Sequence, residues 1–179
     1  MERVIDLLRQ FVVETGKPLD IILVGAMALP FYHVKLRFTQ DLDAEIKQGD
    51  IEELYSYLKA KGLESDLSEN ISGWSVISMP SGYRERSRVV YKDQLLTIRV
   101  LSPEDYIIMK LRRGTAQDIE DAIEVAIAQK VKKEDLEVLF EKVLKESIKD
   151  TALFNFRRIY QVFTEELGRR VYNQNRPMP

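Results

Sequence analysis

The stretch from Leu19 to Glu45 limits the chain more than any other. Leu19 to Val24 is a nearly continuous apolar run, interrupted by Asp20, and Gly25 closes it. A run without polar alternation is the pattern of a strand buried on both faces. Ala26 to Tyr32 has the make-up of a short helix despite Pro30, and His33 to Gln40 is a basic connector with Lys35 and Arg37. A second strand opens at Asp41 and runs to Lys47. Alternation sets Asp41, Asp43 and Glu45 on one face and Leu42, Ala44 and Ile46 on the other. Asp41 and Asp43 then stand side by side, with Cα atoms roughly 6–7 Å apart. Carboxylates that close repel unless a cation or proton lies between them. Their hard oxygens suit Mg²⁺, or Mn²⁺. The backbone N–H groups past Gly25 would leave the N-terminus of the short helix, a setting that attracts phosphate oxygens.

Composition narrows the class of protein. A length of 179 residues fits one domain, or a small domain with a helical appendage, and can bury a real core. The chain is 45% hydrophobic and 31% charged, as in globular proteins with a heavily charged surface. No run is long enough to span a bilayer, and the first residues, Met1 to Asp6, carry acids where a signal or transit peptide would not. A cytoplasmic protein without a membrane partner is the expectation. The absence of cysteine excludes disulfides and thiolate metal sites, and one histidine excludes a multi-histidine zinc site. The net charge of −2 predicts no general attraction to nucleic acid. The end from Lys149 onward is nonetheless basic, with Arg157, Arg158, Arg169, Arg170 and Arg176. Abundant Lys, Arg and Glu without cysteine also suit a thermophile.

The remaining elements follow from periodicity. Val4, Ile5, Leu8, Phe11 and Val12 give residues 2 to 15 one apolar helical face. Asp50 is the expected N-cap of a helix over 51–61, with Glu53 as its capping-box partner. Residues 64–73 read as a polar loop or irregular edge, and 74–79 as a strand. A hairpin is expected from 84–91 and 95–101. Ser102-Pro103-Glu104-Asp105 starts a helix ending near Gly114. Three more helices are expected over 116–129, 133–148 and 151–172. The last has an apolar seam at Leu153, Phe156, Tyr160, Phe163 and Leu167. Residues 173–179 read as a frayed tail. This order predicts an α+β protein: a mixed β-sheet packed with helices over 1–101, then a C-terminal helical bundle over 102–179.

The strand-glycine-helix element, followed by Arg37-Phe38-Thr39-Gln40-Asp41-Leu42-Asp43, resembles the nucleotidyltransferase (polymerase β-like) superfamily. Within it the chain is most similar to the small branch related to AbiEii-type toxins. That branch has Ser-Pro-Glu-Asp, then a helical Lys-Leu, then a helix bearing aspartates. Here these are Ser102 to Asp105, Lys110-Leu111, and Asp118 with Asp121. The resemblance covers residues 19–125 and implies that nucleotidyltransferase-like fold. It implies Mg²⁺ on Asp41 and Asp43, and a nucleoside triphosphate seated near Gly25, Ala26, Arg37 and Thr39. Lys110 would face the nucleotide, and Asp118 or Asp121 would orient or deprotonate a nucleophile. The acceptor would be an RNA or a protein, and an antitoxin-like partner is implied.

The chain departs from the family pattern at two points. Ala26 stands where glycine or serine is usual, so a hydroxyl donor is missing. Neither hairpin strand carries the third carboxylate expected of a central strand; Glu45 or Glu85 would have to substitute. These departures define the alternative reading, a degenerate, non-catalytic binding or partner module. Plainer readings apply residue by residue: exposed acids at a strand start, a glycine ending a strand, a snorkelling Lys110, a solvated face around Asp118 and Asp121.

Overall fold

The computed structural model describes residues 2–35 and 41–174, and the chain divides into two compact units. The first is built from Met1–Phe31, Lys35–Ile71 and Arg84–Ser102, the second from Tyr32–Val34, Ser72–Tyr83 and Pro103–Pro179. The architecture is α+β, a mixed sheet with helices followed by C-terminal helices, consistent with a nucleotidyltransferase-like fold.

In the first unit, helix α1 (Glu2–Thr15) buries Val4, Leu8, Phe11 and Val12, the face its periodicity marks. Five strands form the sheet: β1 (Leu19–Leu23), β2 (Asp41–Gln48), β3 (Glu64–Ser68), β4 (Arg88–Lys92) and β5 (Leu96–Val100). Their order is β3-β2-β1-β5-β4, so the apolar run of β1 lies at the centre. β1 is antiparallel to β2 and parallel to β5, β2 is parallel to β3, and β4 is antiparallel to β5. The register sorts the side chains by face. Leu19, Ile21 and Leu23, Leu42, Ala44 and Ile46, and Leu96, Ile98 and Val100 share one face and are at most 5% exposed. That is the core side. The other face carries Asp20, Asp41, Asp43, Glu45, Glu64, Asp66 and Arg99, with the fully buried Ile22 of β1 among them, so β1 is covered on both faces there. Helix α2 (Ile51–Ala60) connects β2 to β3 and packs on β3.

Four expectations are corrected or sharpened. Of the expected loop or irregular edge at 64–73, residues 64–68 form a regular edge strand. An edge strand has one neighbour and stays polar, so Glu-Ser-Asp-Leu-Ser carries little apolar signal. Residues 74–79 form no strand, because side chains take their backbone groups. Ser75, Ser147 and Ser72 hydroxyls accept from the N–H of Ile77, Ser78 and Met79 at 3.1, 3.0 and 2.9 Å. Arg112 donates to the carbonyls of Ile77 and Ser72 at 2.6 and 2.8 Å. The expected short helix over Ala26–Tyr32 is present, as a 3₁₀ helix containing Pro30, which has no N–H for an α-helical ladder. Tyr83–Arg86 is a helical turn, α3, so the hairpin's first strand starts at Arg88. At α2, Asp50 accepts the Glu53 N–H at 3.0 Å as expected, but the Glu53 carboxylate pairs with Lys17 at 2.8 Å.

In the second unit, helix α4 (Pro103–Arg113) packs on α5 (Ala116–Ala128), α6 (Lys133–Glu146) and α7 (Thr151–Gln174). Phe140 stacks on Tyr160 with ring centroids 3.8 Å apart, and Phe156 and Phe163 are buried beside them. Residues 175–179 of the expected tail lie outside the described residues. No helix among the described residues is long and apolar enough to cross a membrane.

Replacing Arg112 by Met removes the donor from two carbonyls. Each unsatisfied buried group costs about 1–3 kcal/mol, and urea unfolding of Arg112→Met should show a loss of about that size or more.

Candidate functional site

Gly25, Asp41 and Asp43, three of the residues expected at a site, lie where the end of β1 meets the start of β2. Leu23 is opposite Ala44, and the Val24 N–H donates to the Asp43 carbonyl at 3.0 Å. The Asp43 carboxylate lies against Gly25. A Cβ built on Gly25 would fall 2.7 Å from Asp43 Cγ and 2.8 Å from Asp43 Cβ. Gly25 is not among the residues with positive φ, so the position needs glycine for space rather than for conformation. Asp41 is exposed and Asp43 half-buried, so the pair runs from solvent inward along one face.

Glu45 continues that row but is fully buried. Its carboxylate accepts from Arg84 Nε at 2.5 Å and from the Ile71 N–H at 2.8 Å. A buried carboxylate without partners would be costly, and Arg84, which also donates to the Glu69 carbonyl at 2.8 Å, is its counter-ion. Glu45 is thus engaged in holding residues 69–71, and Glu85 is exposed on α3. The register offers a different acid. Asp66 of β3 is the partner of Asp43, and Glu64 the partner of Asp41, on the same face. Neighbouring strands lie about 4.8 Å apart. Asp66 is exposed and makes no hydrogen bond or ion pair with a described residue. It was missed because 64–73 reads as loop; the alternation of Glu64, Asp66 and Ser68 was the available signal.

Among the described residues, no group of three or more His, Cys, Asp or Glu side chains is arranged to hold a metal ion. Mg²⁺ does not require one. It is commonly held by one or two carboxylates, with phosphate oxygens and waters completing its shell. The oxygens of Asp41 and Asp43, brought to a strand end that glycine keeps clear, fit that requirement. Ala26 begins the 3₁₀ helix and is half-buried. Arg37 and Thr39 lie outside the described residues.

The other expected residues belong to the second unit, where the structure brings them together. Lys110 on α4 is 5% exposed and reaches Asp121 at 2.9 Å and Asp118 at 3.4 Å, with its ammonium 5.7 Å from the Tyr106 ring centroid. Asp118 is the third residue of α5. Thr115 caps that helix, and the two side chains form a reciprocal capping box. The Asp118 carboxylate also takes Arg113 Nε and Nη2 at 2.7 and 2.6 Å. Burial pushes its pKa up. The hydrogen bonds from Arg113 and Thr115 and the charges of Lys110 and Arg113 outweigh burial and hold it below the usual carboxylate value. This cluster, neither a solvated face nor a snorkelling lysine, ties the end of α4 to the start of α5.

Two outcomes follow. Gly25→Ala should lose about 1–3 kcal/mol in denaturant unfolding, the usual cost of forcing a group into filled space. Asp118→Asn should cost about 3–5 kcal/mol at neutral pH, the range for breaking a buried ion pair. The depressed pKa fixes the sign of the pH effect. Asp118 stabilises fully above the unfolded carboxylate value of about 3.9, and loses that effect as pH falls through its lower folded value. The difference between wild type and Asp118→Asn in acid unfolding should shrink in that window.

Residues 1–167 match a family described as "Nucleotidyltransferase of unknown function (DUF6036)". No curated protein matches the chain.

Proposed function

The chain belongs to this family of nucleotidyltransferases, and on that premise we propose that it transfers a nucleoside monophosphate from a nucleoside triphosphate to a hydroxyl acceptor with Mg²⁺. The observation that carries the proposal is the Asp43 carboxylate seated against the bare Cα of Gly25, beside Asp41 on one strand face. Asp41 and Asp43 are the residues that would hold the ion. The bound ion would offset charge on the phosphate oxygens as the α-phosphorus is attacked. The acceptor oxygen forms a bond to that phosphorus, the bond to the bridging oxygen breaks, and pyrophosphate leaves.

The chain's own residues do the rest. Gly25 keeps the strand end open for Asp43. Glu45 and Arg84 fix residues 69–71 over the face of β2 that carries the two aspartates. Asp66, opposite Asp43 and without a described partner, is assigned to receive the hydroxyl proton. Arg37 and Thr39 are assigned to the triphosphate on the resemblance alone. Lys110 and Asp118 are assigned to holding α4 on α5, not to the reacting groups. Following the AbiEii-type resemblance, the acceptor is an RNA or protein hydroxyl and the partner antitoxin-like. Ala26, which supplies no hydroxyl, favours the second reading, a nucleotide-binding module without turnover.

The test is incubation of the chain with each α-labelled triphosphate, Mg²⁺ and total cell RNA or protein. Label should enter one acceptor pool with one triphosphate. The Asp41→Asn/Asp43→Asn double variant should lose at least about a hundredfold in rate, since several kcal/mol of charge stabilisation disappear. Nucleotide binding without label transfer would favour the binding module. Transfer that survives the double variant would sink both assignments.

A further inference from the structure

The second unit contains a cavity of about 460 Å³ that the nucleotidyl-transfer reading does not use. Its volume lies in the range of small-molecule sites. Its walls come from the end of α4, the start of α5, the outer face of α7 and the irregular segment around Ser75. Arg112, Arg113 and Arg158 line it, and no acidic side chain among the described residues does. Ile119, Phe156 and Ile159 supply an apolar wall.

The three arginines are not equivalent. Arg112 is 9% exposed, and its guanidinium is held rigidly by the Ile77 and Ser72 carbonyls. Burial lowers its pKa to about 10, which still leaves it cationic at neutral pH. Arg113 leans on Asp118, yet its side chain is 68% exposed. Arg158 is exposed and makes no hydrogen bond or ion pair with a described residue. Arg112, fixed on two carbonyls, and the exposed Arg158 give the cavity a positive potential that no lining carboxylate offsets, whereas the charge of Arg113 is offset by Asp118, and planar guanidinium groups match phosphate and carboxylate oxygens in pairs. The apolar wall opposite would be poorly used by a bare inorganic anion.

We propose that this cavity binds a small organic anion, one with a phosphate or carboxylate head and an apolar, ring-sized body. The head pairs with Arg158 at the mouth and is drawn by the field of Arg112. The body covers Ile119 and Ile159. The site is independent of Asp41 and Asp43, and its occupancy needs neither Mg²⁺ nor a nucleoside triphosphate.

The probe is 1-anilinonaphthalene-8-sulfonate, a ring body with one anionic head, titrated into the full chain by fluorescence. Saturable binding at one site is expected. Arg158→Glu should weaken it by about tenfold or more, the scale of one charged hydrogen bond. Asn155→Trp, at an exposed lining position, should block it by filling the mouth. Circular-dichroism melts establish that both variants fold. Phenyl phosphate and benzoate should displace the probe, and their relative strength tells which head is preferred; benzyl alcohol should not displace it. The proposal is overturned if the probe does not bind at one site, if both folded variants bind it as wild type does, or if benzyl alcohol displaces it as well as the two anions do.

Discussion

Asp43 reaches the end of β1 only because Gly25 has no Cβ. Any side chain there would place its Cβ 2.7 Å from Asp43 Cγ and 2.8 Å from Asp43 Cβ, far inside the contact distance of non-bonded carbons. The antiparallel pairing of β1 with β2 depends on the same closeness, because the Val24 N–H is spent on the Asp43 carbonyl. One missing methyl group therefore serves both the sheet and the site. It lets the two central strands close up at that end, and it leaves the carboxylate beside its exposed neighbour Asp41.

The sheet explains why charge can gather there. One face is given to the core, with Ile21, Leu23, Ala44, Ile98 and Val100 all fully buried. The register then forces the alternate residues of β1, β2, β3 and β5 onto the other face. That face is not uniform. Toward the middle, acids are neutralised: Asp20 by Arg99, Glu45 by Arg84. Toward the start of β2 and β3, Asp41, Asp43, Glu64 and Asp66 face solvent or lie half-exposed.

Much of this was legible in the sequence. The apolar run at 19–24, the glycine and the Asp-x-Asp alternation gave the two central strands and their faces. Ser102-Pro103 marked the start of α4, and the apolar seam of 151–172 marked α7. Errors arose where backbone groups were satisfied by distant side chains. The apolar content of 74–79 suggests a strand, but Arg112 and Ser147, remote in sequence, and Ser72 just upstream take its hydrogen bonds. Asp66 was hidden for the opposite reason, in an edge strand too polar to resemble one. Lys110 and Asp118 show the limit of a motif. The resemblance named them as site residues, but only the distances show the Asp118 carboxylate gripping both Lys110 and Arg113.

The central claim is that Asp41 and Asp43 hold a divalent ion together with a nucleoside triphosphate. Electron paramagnetic resonance of Mn²⁺, titrated into the chain with the α,β-methylene analogue of each triphosphate, tests it most directly. The account predicts one tightly held Mn²⁺ with at least one analogue, retained in Glu85→Gln and lost in Asp43→Asn. Equal Mn²⁺ binding by wild type and the Asp41→Asn/Asp43→Asn variant would contradict it.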